Sequence, residues 1–255
     1  MLIEERQSRL QDLLTRQGMS DLDSLSEALG VSQSTIRRDV EGMVQRGLVR
    51  RTHGGVIWLG DRNNSVRPYA FDQRLSDQVQ AKRQIAHAAA KLVQPGQTIL
   101  IDGGTTAYYL AEALVGMSLQ LVTNSLPIAE LFLNDDKVEV ILTGGLLYPR
   151  YGVLLGPNAE SMLATMHAKI LFLSVGGIHE GQLYNQNLLL VQAERRMMEQ
   201  AQQVVLLADH GKFGQQALVR LCELKDIDVV VSDNGLGEAE RQAVRDAGCE
   251  LIVAE

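Results

Sequence analysis

After Gln80 the chain alternates between helical stretches and short runs of almost purely aliphatic residues, and this alternation constrains the fold more than any other feature. The runs in "QTILIDGG", "LQLVTN", "VEVILTGG", "AKILFLSVGG", "QVVLLADHG", "IDVVVSDNG" and "CELIVAE" read as strands. Between them "KRQIAHAAAKLV", "TTAYYLAEAL", "SLPIAELFLN", "LLVQAERRMMEQA" and "GEAERQAVRDAG" read as helices. A strand that is aliphatic on both faces must be buried on both, which calls for helices on either side of a mainly parallel sheet. The expected class is therefore α/β with an open, mainly parallel sheet. The chain is 45% hydrophobic, enough for a core, and only 4% aromatic, so that core must be aliphatic.

The first sixty residues follow a different pattern. Ile3, Leu10, Leu13 and Leu14 mark one face of a first helix ending near Gly18, and Leu22, Leu25, Ala28 and Leu29 mark a short second one. Gly30, Val31 and Ser32 form a tight turn with Ser32 as N-cap. Ile36, Val40, Met43 and Val44 form the apolar stripe of a third helix, stopped by Gly47. "LVRRT" and "VIWL" then flank His53-Gly54-Gly55, a hairpin signal. From Gly60 the text turns polar and loses its period. These changes divide the chain into a small domain at 1–59, a linker at 60–79 and an α/β domain at 80–255.

Several function classes are disfavoured at once. Cys222 and Cys249 are far apart and form no CxxC pair, and the five histidines have no ligand spacing, so neither a disulfide framework nor a metal is expected. There is no GxxxxGK[ST] and no GxGxxG, and no cofactor is expected. The charged start "MLIEERQSRL" is no signal peptide, and no apolar run approaches the ~18 residues of a membrane span. A soluble cytoplasmic protein without membrane contact is the expectation.

The net charge of −7 is uneven. Residues 1–31 carry −3 and residues 61–255 carry −7, but residues 32–60 carry +3, with Arg37, Arg38, Arg46, Arg50 and Arg51 against Asp39 and Glu41. With its apolar stripe inward, the third helix turns Ser34, Arg38, Glu41 and Gln45 outward, with Arg37 on the flank. A short helix, a tight turn and a helix exposing polar and arginine side chains at its start is the layout of a helix-turn-helix reader of double-stranded DNA. Arginine pairs with guanine and glutamine with adenine, while hydroxyls reach bases or phosphates. Gln33, Ser34, Thr35, Arg37 and Arg38 are therefore the candidate readers. Arg50, Arg51 and His53 belong to a hairpin that would lie as a wing over the phosphate backbone. The plainer alternative is a three-helix bundle with a solvated arginine face.

In open parallel sheets ligands bind beyond the carboxyl ends of the strands. Polar and glycine-rich clusters fall at those ends here. They are Asp102, Gly103, Gly104, Thr105 and Thr106; Thr123, Asn124 and Ser125; Thr143, Gly144 and Gly145; Gly176 and Gly177; and Asp209, His210, Gly211 and Lys212. "DGGTT" joins a strand to a helix, so glycine backbone, two hydroxyls and a helix N-terminus meet where an anion would be held. Lys212 offers a cation, and Asp102 and Asn124 offer partners for sugar hydroxyls.

"LSEALGVSQSTIRRDVEGMVQRGLVRRTHGGV" closely resembles the DeoR family of transcriptional regulators, and the resemblance continues through "IDGGTT", "VTNSLPIA", "LTGG" and "VVLLADHGKFG". It implies a winged helix-turn-helix joined to an effector domain related to ribose-5-phosphate isomerases. Such a domain typically senses a phosphorylated sugar or related small anion. It also implies a repressor of a carbohydrate operon. A reader of paired half-sites is expected to be a homodimer or homotetramer. The chain departs from the family's pattern at "SVGG", where Gly176 replaces an acid, at "GQLYNQN", and at Arg195 in place of a lysine, so Arg195 is the candidate counter-charge there. The competing class is a phosphosugar isomerase with a carboxylate base at Asp102 or Asp209.

Overall fold

The structure, a computed structural model, describes residues 6–7, 9–10, 13–14, 19–45, 48–52, 55–58, 71 and 74–255, with the backbone alone at Met19, Gln45, Arg50, Ile57 and Trp58. The chain divides into two compact units, Met1–Val66 and Arg67–Glu255.

In the first unit the described residues between Arg6 and Leu14 are helical. Strand β1 (Met19–Asp21) leads into helices α1 (Leu22–Leu29) and α2 (Gln33–Gln45), followed by strands β2 (Val49–Arg51) and β3 (Gly55–Trp58). Asp21 caps α1 by accepting the Ser24 N–H at 2.7 Å. Gly30 ends the helix at φ 62°, the left-handed conformation that a residue without Cβ adopts freely. The Ser32 hydroxyl accepts the Thr35 N–H at 3.3 Å and so caps the next helix, which starts at Gln33. β3 pairs antiparallel with both β1 and β2, which forms the expected hairpin. Leu10, Leu14, Leu25, Leu29, Ile36, Val40, Met43, Leu48, Val49 and Val56 fill one core. Ala28 and Val44, expected to face inward, are exposed. Each adjoins a buried residue, Leu29 or Met43, and neighbours on a helix diverge by about 100°. The helix stop expected at Gly47 lies outside the described residues.

The second unit is built on seven parallel strands in the order β15-β14-β12-β9-β4-β5-β6. These are β4 (Thr98–Ile101), β5 (Leu119–Thr123), β6 (Val138–Leu142), β9 (Ala168–Ser174), β12 (Ala201–Leu207), β14 (Val229–Asp233) and β15 (Glu250–Ala254). Helices α3 (Val79–Ala90) and α4 (Thr105–Leu114) cover one face, packing Ile85, Ala89, Leu110 and Leu114 on Ile99, Ile101, Phe172 and Val205. On the other face α6 (Pro157–Leu163), α7 (Leu188–Glu199) and α8 (Glu238–Asp246) set Leu163, Val191, Met197 and Val244 on Leu100, Leu171, Leu206 and Val230. Alternate residues of each strand thus serve opposite cores. Phe71 is fully buried in the first of these cores, 5.9 Å edge-on from Tyr108. That core therefore recruits chain from within the segment 60–79 read as linker, because an exposed phenyl ring gains ~1.5–3 kcal/mol by burial.

Three pieces carry too little periodicity to be read from sequence. They are the hairpin β7 (Leu146–Tyr148) and β8 (Val153–Leu155); the antiparallel sheet of β10 (Gly177–His179), β11 (Gln182–Asn185) and β13 (Val219–Glu223); and α6. The helix expected through residue 134 is short: α5 spans Leu126–Glu130.

The strand order places the site. From β4 the chain adds β5 and β6 on one side, then crosses to β9 and adds β12, β14 and β15 on the other. The turns leaving β4 and β9 diverge to opposite faces, which opens a crevice at the carboxyl end of the sheet.

Candidate functional site

On the first unit, Gln33, Ser34, Arg37 and Arg38 are exposed at the start of α2, and Thr35 is half-buried. The side chains of Arg37 and Arg38 form no hydrogen bond or ion pair among the described residues. The Ser32 hydroxyl lies 2.9 Å from the hydroxyls of both Ser34 and Thr35, which orders the turn in front of them. Asp39, on the inner side of the same helix, is only 5% exposed, and Arg6 grips it through Nε at 2.6 Å and Nη2 at 3.1 Å. This fork ties α2 to the helical residues near the N-terminus, a role for Asp39 that its sequence pattern did not indicate. Arg51, on the hairpin, is exposed and reaches Glu41 at 3.4 Å, a solvated pair that a phosphate can readily displace. The Arg50 side chain and His53 lie outside the described residues.

On the second unit a cavity of about 370 Å³ occupies the crevice. Its wall includes residues 102–106, 174–176, Asp209, Gly211 and Lys212, together with Arg74, Lys82, Arg150, Tyr151, Asn185 and Glu194. The close turn depends on Gly104, because a Cβ there would sit 2.7 Å from the Cβ and Oγ of Ser174. No side chain caps α4, so its first N–H groups remain open, with the helix dipole behind them.

The electrostatics of this wall are mixed. Burial raises the Asp102 carboxyl to about 6, opposed by the Gly103 N–H, the Asn124 amide at 3.4 Å and the charge of Arg74. Glu194 is raised well above the ordinary carboxyl range, first by burial and then by the charge of Asp102, although the Asn185 amide donates to it at 2.5 Å. Burial lowers Lys82 to about 8; its ammonium donates to the carbonyls of Arg74 and, at 2.6 Å, Asp77. Arg74 is also lowered by burial, and its guanidinium lies 4.4 Å over the Tyr151 ring. Next to the cavity, His210 bonds Asp233 twice at 2.7 Å, through its backbone N–H and ring Nδ1. Against the upward pull of burial, those bonds and the Gly235 N–H hold Asp233 below the usual carboxyl range.

Of the residues singled out from sequence, the structure brings Asp102, Gly103, Gly104, Thr105, Thr106 and Lys212 together. Asn124 is fully buried behind Asp102, and Ser125 caps α5 by accepting the Ile128 N–H. Gly144 and Gly145 are exposed and outside the cavity wall. Arg195 is not brought to the wall. Its Nε and Nη2 donate to the carbonyls of Leu221 and Arg220 at 2.9 and 2.8 Å, tying α7 to β13. A neighbour on a helix points about 100° away, so Glu194 takes the place expected of Arg195. Sequence reasoning missed Glu194, Asn185, Arg74, Lys82, Arg150 and Tyr151. A signal existed for Glu194: it interrupts an inner stripe containing Leu190, Val191 and Met197. Lys82 similarly interrupts the buried stripe of Ala81, Ile85, Ala86 and Ala89. Among the described residues no group of three metal-ligating side chains occurs, and no helix is long and apolar enough to cross a membrane.

Residues 6–61 match the family model described as the DeoR-like helix-turn-helix domain, and residues 77–234 match the DeoR C terminal sensor domain. The chain is 33% identical over 248 residues to an uncharacterised HTH-type transcriptional regulator, YulB, of Bacillus subtilis, across 96% of this chain and 95% of that protein. It is 32% identical over 252 residues to the HTH-type transcriptional repressor CsqR of Escherichia coli, across 98% of this chain and 95% of that one. Among solved structures, a ribose 5-phosphate isomerase of Methanocaldococcus jannaschii aligns with 54% of this chain and 55% of its own, at 18% identity and a TM-score of 0.40.

Proposed function

Because the chain belongs to the DeoR family of transcriptional regulators, we propose that it represses an operon of carbohydrate metabolism and releases its operator in response to a phosphorylated sugar or related small anion. The observation that carries the reading is the pair Arg37 and Arg38, exposed and with side chains that have no partner among the described residues, at the start of a capped, turn-linked helix. In this reading Gln33, Ser34, Thr35, Arg37 and Arg38 meet base edges and phosphates in the major groove, and Arg50, Arg51 and His53 hold the backbone. The repressor sign follows the similarity to CsqR. The chain acts in the cytoplasm, as a regulator rather than an enzyme.

The phosphate of the effector sits on the turn of residues 103–106, where the N–H groups of Thr105 and Thr106 are open, with Lys212 and Arg150 as counter-charges. It works by differential affinity for two arrangements of the regulator, since a ligand equally good for both would shift nothing. A coupling of ~1–3 kcal/mol changes operator affinity by about 5- to 150-fold, enough for a switch. The protein pairs with itself through the second unit. Leu146 and Leu147 on β7 and Leu188 at the start of α7, the helix that packs on this hairpin, are exposed apolar residues that support this.

The test is a gel shift of the full chain against DNA upstream of its own gene, with and without phosphosugars, followed by reporter expression in a deletion strain. Specific retention, release by a phosphosugar and a rise in reporter expression on deletion are the expected results. Retention that does not depend on DNA sequence would refute the reading.

A further inference from the structure

The cavity wall that would receive an anion also carries acid. Glu194 is 1% exposed and lines the cavity. Its Oε1 accepts the Asn185 amide, while Oε2 has no hydrogen-bond partner among the described residues. The Asp102 carboxyl is 2% exposed on the same wall, and its charge is felt at Glu194. The Ser174 hydroxyl, against the Gly104 turn, is likewise buried without a partner.

A phosphate with ordinary hydroxyls makes little use of this arrangement. Neutral amides and hydroxyls bind a polyol at lower desolvation cost than two buried carboxyls do. Once ionised, Oε2 accepts hydrogen bonds only, and the neighbouring Asp102 carboxyl makes a positive donor the partner that best favours this ionised form. No cation of the wall is among the groups that set the Glu194 charge, which are burial, Asp102 and the Asn185 amide: Lys82 is held by two carbonyls, and Arg195, off the wall, is turned to β13.

We propose that the effector is zwitterionic, a phosphorylated amino sugar whose phosphate rests on residues 103–106 and whose protonated amine donates to Oε2 of Glu194. This deepens the phosphosugar reading above and rests on it. In the free protein, burial and then the charge of Asp102 favour the protonated form of Glu194. When the ammonium arrives, that proton passes to solvent, Glu194 becomes a carboxylate, and the ammonium keeps its own three protons. The charged groups around this exchange are Asp102 from the β4–α4 turn, Arg74, Asp77 and Lys82 before and on α3, Arg150 between β7 and β8, and Asp209 and Lys212 after β12. Asn185 fixes the other carboxylate oxygen and leaves Oε2 to the ligand.

The experiment is calorimetric titration of the full chain with matched pairs, glucosamine 6-phosphate against glucose 6-phosphate and mannosamine 6-phosphate against mannose 6-phosphate, with inorganic phosphate as a third arm. In at least one pair the amine should bind tighter by on the order of ten- to one hundred-fold, the range of a hydrogen bond to a charged group. Titration in two buffers of different ionisation enthalpy should show about one proton released by the amine and none by its hydroxyl counterpart. Glu194→Gln should bring the ratio close to unity and abolish the release. The proton count is made on the unmodified chain, so it stands even if the variant folds poorly. Equal affinity within every pair, or a preference that releases no proton, would overturn the amine assignment while phosphate binding still supports the broader reading. Failure of every arm, inorganic phosphate included, would overturn both.

Discussion

Asp102→Asn should stabilise the free protein at neutral pH. The ordinary carboxyl value is 3.8, and burial lifts Asp102 to about 6. At 1.36 kcal/mol per pH unit, ionising this group inside the fold costs about 3 kcal/mol. Below pH ~4 the group is protonated in both folded and unfolded chains and costs nothing. As the pH rises from ~4 to ~6 the unfolded chain ionises first, so stability falls, and above ~6 the loss levels off. The introduced amide removes the titration. Allowing for weaker bonds to Gly103 and Asn124, a net gain of ~1–3 kcal/mol at pH 7 corresponds to a rise in melting temperature of about 2–10 °C for a unit of this size. Calorimetric melts of both proteins from pH 4 to pH 8 provide the check, because subtracting the curves cancels the carboxylates that Asp102 does not act on and leaves Asp102 together with Glu194. The two melting temperatures should converge near pH 4 and separate through pH 6. A variant less stable at pH 7, or a difference that does not vary with pH, would show that Asp102 is not the strained buried acid described here.

Arg37→Ala or Arg38→Ala should cost ~1–3 kcal/mol in operator affinity and relax one base position, as read by binding to a randomised-site library. Arg51→Ala should instead weaken binding to all sequences and reduce the slope of log affinity against log salt by about one. Gly104→Ala drives a methyl group against Ser174, so titration with an identified effector should show at least a ~10-fold weaker complex. Leu146→Asp combined with Leu188→Asp should shift sedimentation toward monomer at micromolar concentration, since each places a charge in the proposed apolar interface.

The amino-acid sequence by itself determined the kind of structure this chain forms. Its aliphatic runs specify strands buried on both faces and its helical stripes specify the covering layers, because the two periods, 2.0 and 3.6, are local properties. The turn at Gly30 and Ser32, the outward arginines of α2 and the open DGGTT turn were legible for the same reason. The tertiary structure decided which of these local features share a site. Every strand end looked alike in the sequence, yet the strand order opens a crevice between β4 and β9 and leaves Gly144 and Gly145 outside it. Phe71 and Arg74 sit in text with no period, and their places were fixed by burial against α4 and stacking on Tyr151. At α7 one residue of rotation decided the chemistry: Arg195 turns to the carbonyls of β13 and Glu194 turns to the cavity. That choice depends on what packs against each face of the helix, which is set by segments distant in the chain and is invisible to any local pattern.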